Sequence, residues 1–158
     1  MSETAPAAEP AAGATTARKR RGGGGPRIVG LIAMIAGAIF AVVGVVAYVA
    51  VQQTLSDQKI TVADDADMLA GKPVNGPFTA YAQAMVIGKH AKDIGKGKTY
   101  AELPQDDPNR DTVMTASFLQ ASLFTSVVAF GVSVLAVVLG ILLMLVGWAL
   151  RRLDPPMT

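Results

Sequence analysis

Two long apolar stretches organise this chain. From Thr112 to Leu150 there are 39 consecutive positions with neither a charge nor a proline, and Ile28–Val51 is a second charge-free run of 24. An α-helix rises about 1.5 Å per residue and crosses a hydrocarbon core of about 30 Å in about 20 residues. Both runs are therefore long enough to span a bilayer, and the longer has about ten or more residues to spare. Arg151 and Arg152 close the longer run, because an arginine at the hydrocarbon centre is costly, and Trp148 just inside suits the interfacial aromatic belt. An N-terminal signal peptide is the competing reading of Ile28–Val51, with Val45-Val46-Ala47 as a cleavage site. Its apolar region exceeds the usual seven to about fifteen residues.

Within the runs, small residues recur in a pattern. Gly30, Ala33, Gly37, Gly44 and Ala47 follow a four-three spacing interrupted by Phe40, and Ser122, Ser126, Ala129, Ser133, Ala136, Gly140 and Gly147 repeat it, interrupted by Leu143. Lipid tails are as apolar as leucine, so membrane helices associate through close backbone approach, which small residues permit. The seven-residue recurrence favours a left-handed crossing near +20°. Gly30, Gly37 and Gly44 are expected to face Ser126, Ser133, Gly140 and Gly147 across an antiparallel hairpin, or else to meet a helix of another protein.

The segment between the runs is of another kind. Gln52–Asp111 carries seven Lys/Arg and nine Asp/Glu, and loops of such length rarely lack structure. Lys59-Ile60-Thr61-Val62 reads as a short extended piece. Asp64-Asp65-Ala66-Asp67 lacks the ligand spacing of a calcium loop and reads as a solvated turn and helix start. Asn75-Gly76-Pro77 signals the beginning of a helix over Phe78–Asp93, stopped by Gly95 and Gly97. On it Phe78, Tyr81, Met85 and Val86, with Ala82, form a stripe for packing on the membrane surface, the second long helix or a partner. Asp107-Pro108 resembles an N-cap with proline in the first helical position. One helix from Pro108 to about Arg152 would be about 65 Å long; a break near Ala121–Ser126 is the competing picture.

Charge then orients the chain. Five Lys/Arg precede the first run and two follow the second, whereas only Lys59 lies in the 20 residues after Val51 and only Arg110 in the 20 before Val127. The positive-inside rule puts both termini in the cytoplasm and the middle segment outside. The run Arg18-Lys19-Arg20-Arg21 reads as topogenic charge, with headgroup attraction as the alternative. Nucleic acid is not an expected partner, for no aromatics interleave with the basic residues.

Candidate chemistry is sparse. There is no cysteine and one histidine, His90, so a multi-histidine or thiolate metal site cannot be assembled. Neither run contains an ionisable group for a proton or ion path. No nucleophile–base set is suggested by spacing. The expectation is a non-enzyme with no catalytic, cofactor-binding or metal residues and no small-molecule substrate.

Three phrases carry a resemblance: Gly76-Pro77-Phe78-Thr79-Ala80-Tyr81-Ala82-Gln83-Ala84, Lys98-Thr99-Tyr100-Ala101-Glu102-Leu103 and Ala116-Ser117-Phe118-Leu119-Gln120-Ala121-Ser122-Leu123-Phe124. Over about residues 28–150 the chain resembles a family of small actinobacterial two-span membrane proteins. That family includes an accessory subunit of the respiratory supercomplex of cytochrome bcc and cytochrome c oxidase. Members are sometimes labelled aromatic ring-opening dioxygenases, a label that needs a metal ligand set for which this sequence has no second histidine. The resemblance implies a structural role, with subunits of the cytochrome bcc complex and cytochrome c oxidase, and membrane lipids, as partners.

The sequence thus predicts an all-α membrane protein. Two transmembrane helices form an antiparallel hairpin, the second extended beyond the bilayer, with a partly helical extracytoplasmic segment. Residues 1–27 are expected as a disordered basic cytoplasmic tail and 28–51 as the first transmembrane helix. Residues 52–111 form the outer segment, with a helix at about 77–93. The long helix takes 112–152, spanning at about 127–150, and 153–158 are a second cytoplasmic tail. Its proposed docking face is Phe78, Tyr81, Met85 and Val86. An envelope or signalling protein using the outer segment to bind another partner is the rival; a metal-dependent enzyme is a further one.

Overall fold

The computed structural model describes residues 25–152; the expected tails, apart from Gly25–Arg27, lie outside the described residues. Three α-helices follow in order: α1, Gly25–Asp57; α2, Pro77–Ile94; and α3, Arg110–Arg152, with a single 3-10 turn at Tyr100–Glu102. α1 begins before and ends after the apolar run. Its polar last turn is sustained by Thr54 and Ser56, whose hydroxyls donate to the carbonyls of Ala50 and Gln52 at 2.9 and 2.8 Å. Lys59, at φ 51°, takes the left-handed conformation that ends a helix.

α3 is continuous through Ala121–Ser126. It starts at Arg110 rather than Pro108, because Asp107 caps a turn and not the helix. Its carboxylate accepts from the Asn109 N–H at 2.8 Å, and the first helical bond runs from Val113 N–H to the Asn109 carbonyl at 3.0 Å.

α1 and α3 are long and apolar enough to cross a membrane. Most of their apolar surface is left uncovered by the rest of the chain. The helices touch through their small residues. A Cβ added to Gly37 would lie 2.5 Å from the Gly140 carbonyl oxygen, and one added to Gly140 would lie 2.5 Å from that of Gly37. Gly30 and Gly147 are related in the same reciprocal way, and a Cβ on Gly44 would lie 2.7 Å from the Ser133 oxygen. Numbers rise by seven along one helix as they fall along the other, so the pair is antiparallel. Ser133 is 4% exposed, yet its hydroxyl donates to Ala129 within α3 at 2.8 Å. It contributes smallness, not an interhelical hydrogen bond.

The small-residue seam does not run the whole length predicted. Ser126 is only partly covered and Ser122 is exposed; Phe130 and Leu123, 1% and 7% exposed, are the buried side chains at that end. Large side chains take over where a third layer joins. There Leu55, Val62, Val74, Ala80, Ala82, Ala84, Leu123 and Phe130 form one core, and Tyr48 meets Phe130 edge to face with ring centroids 4.8 Å apart.

The contrast between Gly140 and Gly131 tests the seam. Nothing lies within 4 Å of a Cβ on Gly131. Leucine at Gly37 or Gly140 must push backbone from backbone and is expected to destabilise the helix pair by about 1–3 kcal/mol or more, whereas Gly131→Leu is expected to be neutral. Thermal unfolding of the three variants in the same mild detergent checks this; equal transitions would remove the seam from the account.

Candidate functional site

The candidate site is the head that α2, the 58–75 loop and the outer turns of α3 build beyond the apolar spans. α2 begins as its sequence predicts. Gly76 is the N-cap, Pro77 occupies the first turn, and the Thr79 hydroxyl accepts from the Gly76 N–H at 3.2 Å. At the far end Gly97, at φ 84°, lets its N–H reach back to the Lys92 carbonyl at 2.7 Å.

α2 is buried on two sides. Tyr81 meets the Phe124 ring at 6.0 Å, a Cβ on Gly88 would collide with the Gln120 side chain, and Ala91 clusters with Leu103 and Val113. That face lies on α3. The other face, Ala82 and Val86, is buried on the loop side, and His90, four residues further on, is exposed and meets the loop at Asp65. The loop closes on itself through Val62 N–H to Lys72 O and Val74 N–H to Ile60 O, both 2.8 Å. The extended Lys59–Val62 piece thus pairs within the loop, through a bridge between Thr61 and Pro73. Val62 and Val74 are each 1% exposed, and the Ala63 N–H donates to Gln83 Oε1 at 2.9 Å.

This second layer corrects the predicted docking face. Phe78, Tyr81 and Met85 are 77%, 42% and 50% exposed, but Val86 is 5% exposed. One residue further round the helix from Met85, it points under the loop and cannot serve as an exposed contact. Tyr81, Met85 and Met68 instead border a depression of about 310 Å³ over Ala82 and Val86, with Asp65 and Lys89 at its margin. On α3, Phe118 and Leu119 are 67% and 51% exposed.

The acidic Asp64–Asp67 stretch is a turn and does not start a helix. Its Asp65 reaches His90 on α2, with Oδ2 2.6 Å from Nε2. The hydrogen bond to His90 is the main cause holding the Asp65 carboxyl below its ordinary 3.8, with Lys89 adding a smaller pull. At the top of the head, Arg110 does what spacing did not reveal. Its guanidinium donates to the carbonyls of Tyr100 and Leu103 and stacks 4.3 Å from the centre of the Tyr100 ring. The Thr99–Glu102 turn it ties down is itself closed by the Thr99 N–H donating to Glu102 Oε2 at 2.8 Å, and nothing in the spacing singled Arg110 out from Lys98 beside that turn.

Gly30, Gly37, Gly44, Ser133, Gly140 and Gly147 lie buried between α1 and α3, apart from the head; Ser126 lies at the head's base. Among the described residues no three His, Cys, Asp or Glu side chains group so as to hold a metal ion. Compared with family models, curated proteins and solved structures, the chain has no match.

The Asp65–His90 contact has a defined pH signature. A carboxyl whose pKa is lower folded than unfolded contributes stability that is full above the unfolded value and is lost as pH falls through the folded one. The loop is therefore expected to loosen on acidification below about pH 4, and Asp65→Asn to loosen it at neutral pH. Faster hydrogen exchange at the Val62, Gly71 and Val74 amides reads this out; unchanged protection in Asp65→Asn would make the contact incidental.

Proposed function

We propose that the chain is a two-span inner-membrane protein whose head stands outside the cytoplasm, and that it serves as a non-catalytic accessory subunit docking on a larger membrane complex. Two counts support its placement. From Arg27, about 20 residues of hydrocarbon along α1 reach Tyr48; from Leu150, the same count along α3 reaches the neighbourhood of Phe130. Tyr48 and Phe130 touch, so the counts meet at one level. Trp148, with Arg152 stacked 4.0 Å from the centre of its ring, suits the opposite interface. The hairpin crosses the bilayer below that aromatic pair, and α3 continues beyond it.

The observation that carries docking is the exposure of Phe118 and Leu119, 67% and 51%. They lie about 18 Å along α3 from Phe130. Headgroups extend only about 5–8 Å beyond the hydrocarbon, so lipid does not cover these side chains, and neither does their own fold. Two adjacent large apolar side chains left uncovered in this way fit a protein contact. Met85 and Tyr81 on α2 are separate exposed apolar side chains of the head. The resemblance noted above directs the choice of partner to the cytochrome bcc–cytochrome c oxidase supercomplex, where the head would lie against subunit ectodomains and the spans would add stability without carrying electrons or protons.

Affinity purification of the full chain from its native membrane in mild detergent is the test. Haem-containing oxidase and bcc subunits are expected to accompany it. Phe118→Asp together with Leu119→Asp, both exposed and outside the core, are expected to reduce that recovery by roughly tenfold or more, the effect of losing about 1–2 kcal/mol of contact. Recovery of envelope proteins in place of haem proteins would transfer the docking role to that rival partner.

A further inference from the structure

Phe78 is 77% exposed, more than any other large apolar side chain described. It stands in the first turn of α2, and the direction of that helix fixes its height. Tyr81 lies against Phe124, Gly88 against Gln120, and Ala91 clusters with Val113. As α2 advances, its neighbours on α3 recede from the spans. The N-terminus of α2 therefore points back toward them.

Phe124 lies about 9 Å beyond Phe130 along α3, and Phe78 precedes Tyr81 by one turn, about 4.5 Å nearer the spans. Helical side chains lean toward their own N-terminus, which carries the Phe78 ring lower still. It thus arrives within a few ångströms of the level set by Tyr48 and Phe130. Charge agrees with position: Val74–Gly88 contains no charged residue, Lys72 precedes that stretch in the loop, and Lys89 is the first charge along α2, more than two turns further out. An uncharged helix end tipped by an aromatic ring can seat that ring at the lipid boundary without taking a charge out of water.

We infer that the foot of α2 is an interfacial anchor, with Phe78 seated in the lipid beside the spans rather than against a protein partner. This divides the exposed apolar surface of the head by height. Phe78 is covered by lipid, while Phe118 and Leu119 stand clear of it. The anchor also gives α2 a third support, after α3 and the 58–75 loop, and limits tilting of the head relative to the membrane plane. The inference rests on the membrane placement proposed above and is independent of which complex the head meets.

Depth-dependent quenching tests it in the full chain reconstituted into phosphatidylcholine vesicles, using lipid brominated near the headgroup end of its acyl chains. The chain has one tryptophan, Trp148, and its quenching in the unaltered protein reports whether the spans are in lipid. In a Trp148→Phe background, Phe78→Trp is expected to give blue-shifted emission with strong loss on bromination, and Phe118→Trp to give red-shifted emission with little loss. Quenched Trp148 with an unquenched, red-shifted Phe78→Trp would overturn the anchor and leave the spans intact. Equal quenching at Phe78→Trp and Phe118→Trp would overturn the division by height. An unquenched Trp148 would overturn the membrane placement and the anchor together.

Discussion

The backbone-to-backbone approach of Gly37 and Gly140, repeated at Gly30 with Gly147, is the constraint on which the remaining structure depends. In lipid there is no hydrophobic drive to bring apolar helices together, since the tails solvate leucine as well as another helix does. What distinguishes one helix from lipid is the closeness of fit. A glycine on each side lets carbonyl oxygens stand where a Cβ would otherwise be, and dispersion then acts over many atom pairs at short range. In the register adopted, Gly30, Gly37 and Gly44 meet Gly147, Gly140 and Ser133 in turn. That register sets the height of α3 against α1, and with it the level at which α3 emerges as the post of the head.

The head follows a different rule. There burial from water supplies the drive, and side-chain volume changes accordingly. Phe130, Leu123, Val62 and Val74 fill the space between three layers, while α2 contributes alanines, Ala80, Ala82 and Ala84, all nearly inaccessible. Small residues on two sides of α2 let it lie close to α3 and beneath the loop at once. The loop needs no sheet to hold it: three backbone hydrogen bonds across it, two buried valines, Gln83 and the Asp65–His90 contact locate it. Arg110 ties the Tyr100–Leu103 turn to the start of α3 in the same economical manner.

These two halves suggest a division of labour in the proposed function. The spans have no Asp, Glu, Lys, Arg or His between Ile28 and Ser56 or between Thr112 and Leu150, so what they offer neighbours is shape. Charges are confined to the head and the flanks, where they hold the loop and orient the chain. In the proposed placement, the apolar side chains left uncovered on the head stand at two heights, Phe78 near the spans and Phe118 with Leu119 further along α3. A subunit that must hold a partner's ectodomain at a set distance from the bilayer has use for both.

The sequence alone determined the apolar spans, the small-residue periodicity between them and the limits of α2, because each is local. Length against bilayer thickness, spacing of seven, and Gly76-Pro77 and Gly97 act within a few turns of chain. It marked Phe78, Tyr81 and Met85 as one stripe for the same reason. What it could not determine was the covering of Val86, the replacement of the seam by Phe130 and Leu123, the Asp65–His90 contact, and the exposure of Phe118. Each depends on which distant segment lies opposite. Periodicity states that a residue has a face; only the packed neighbours of that face decide whether it meets protein, lipid or water.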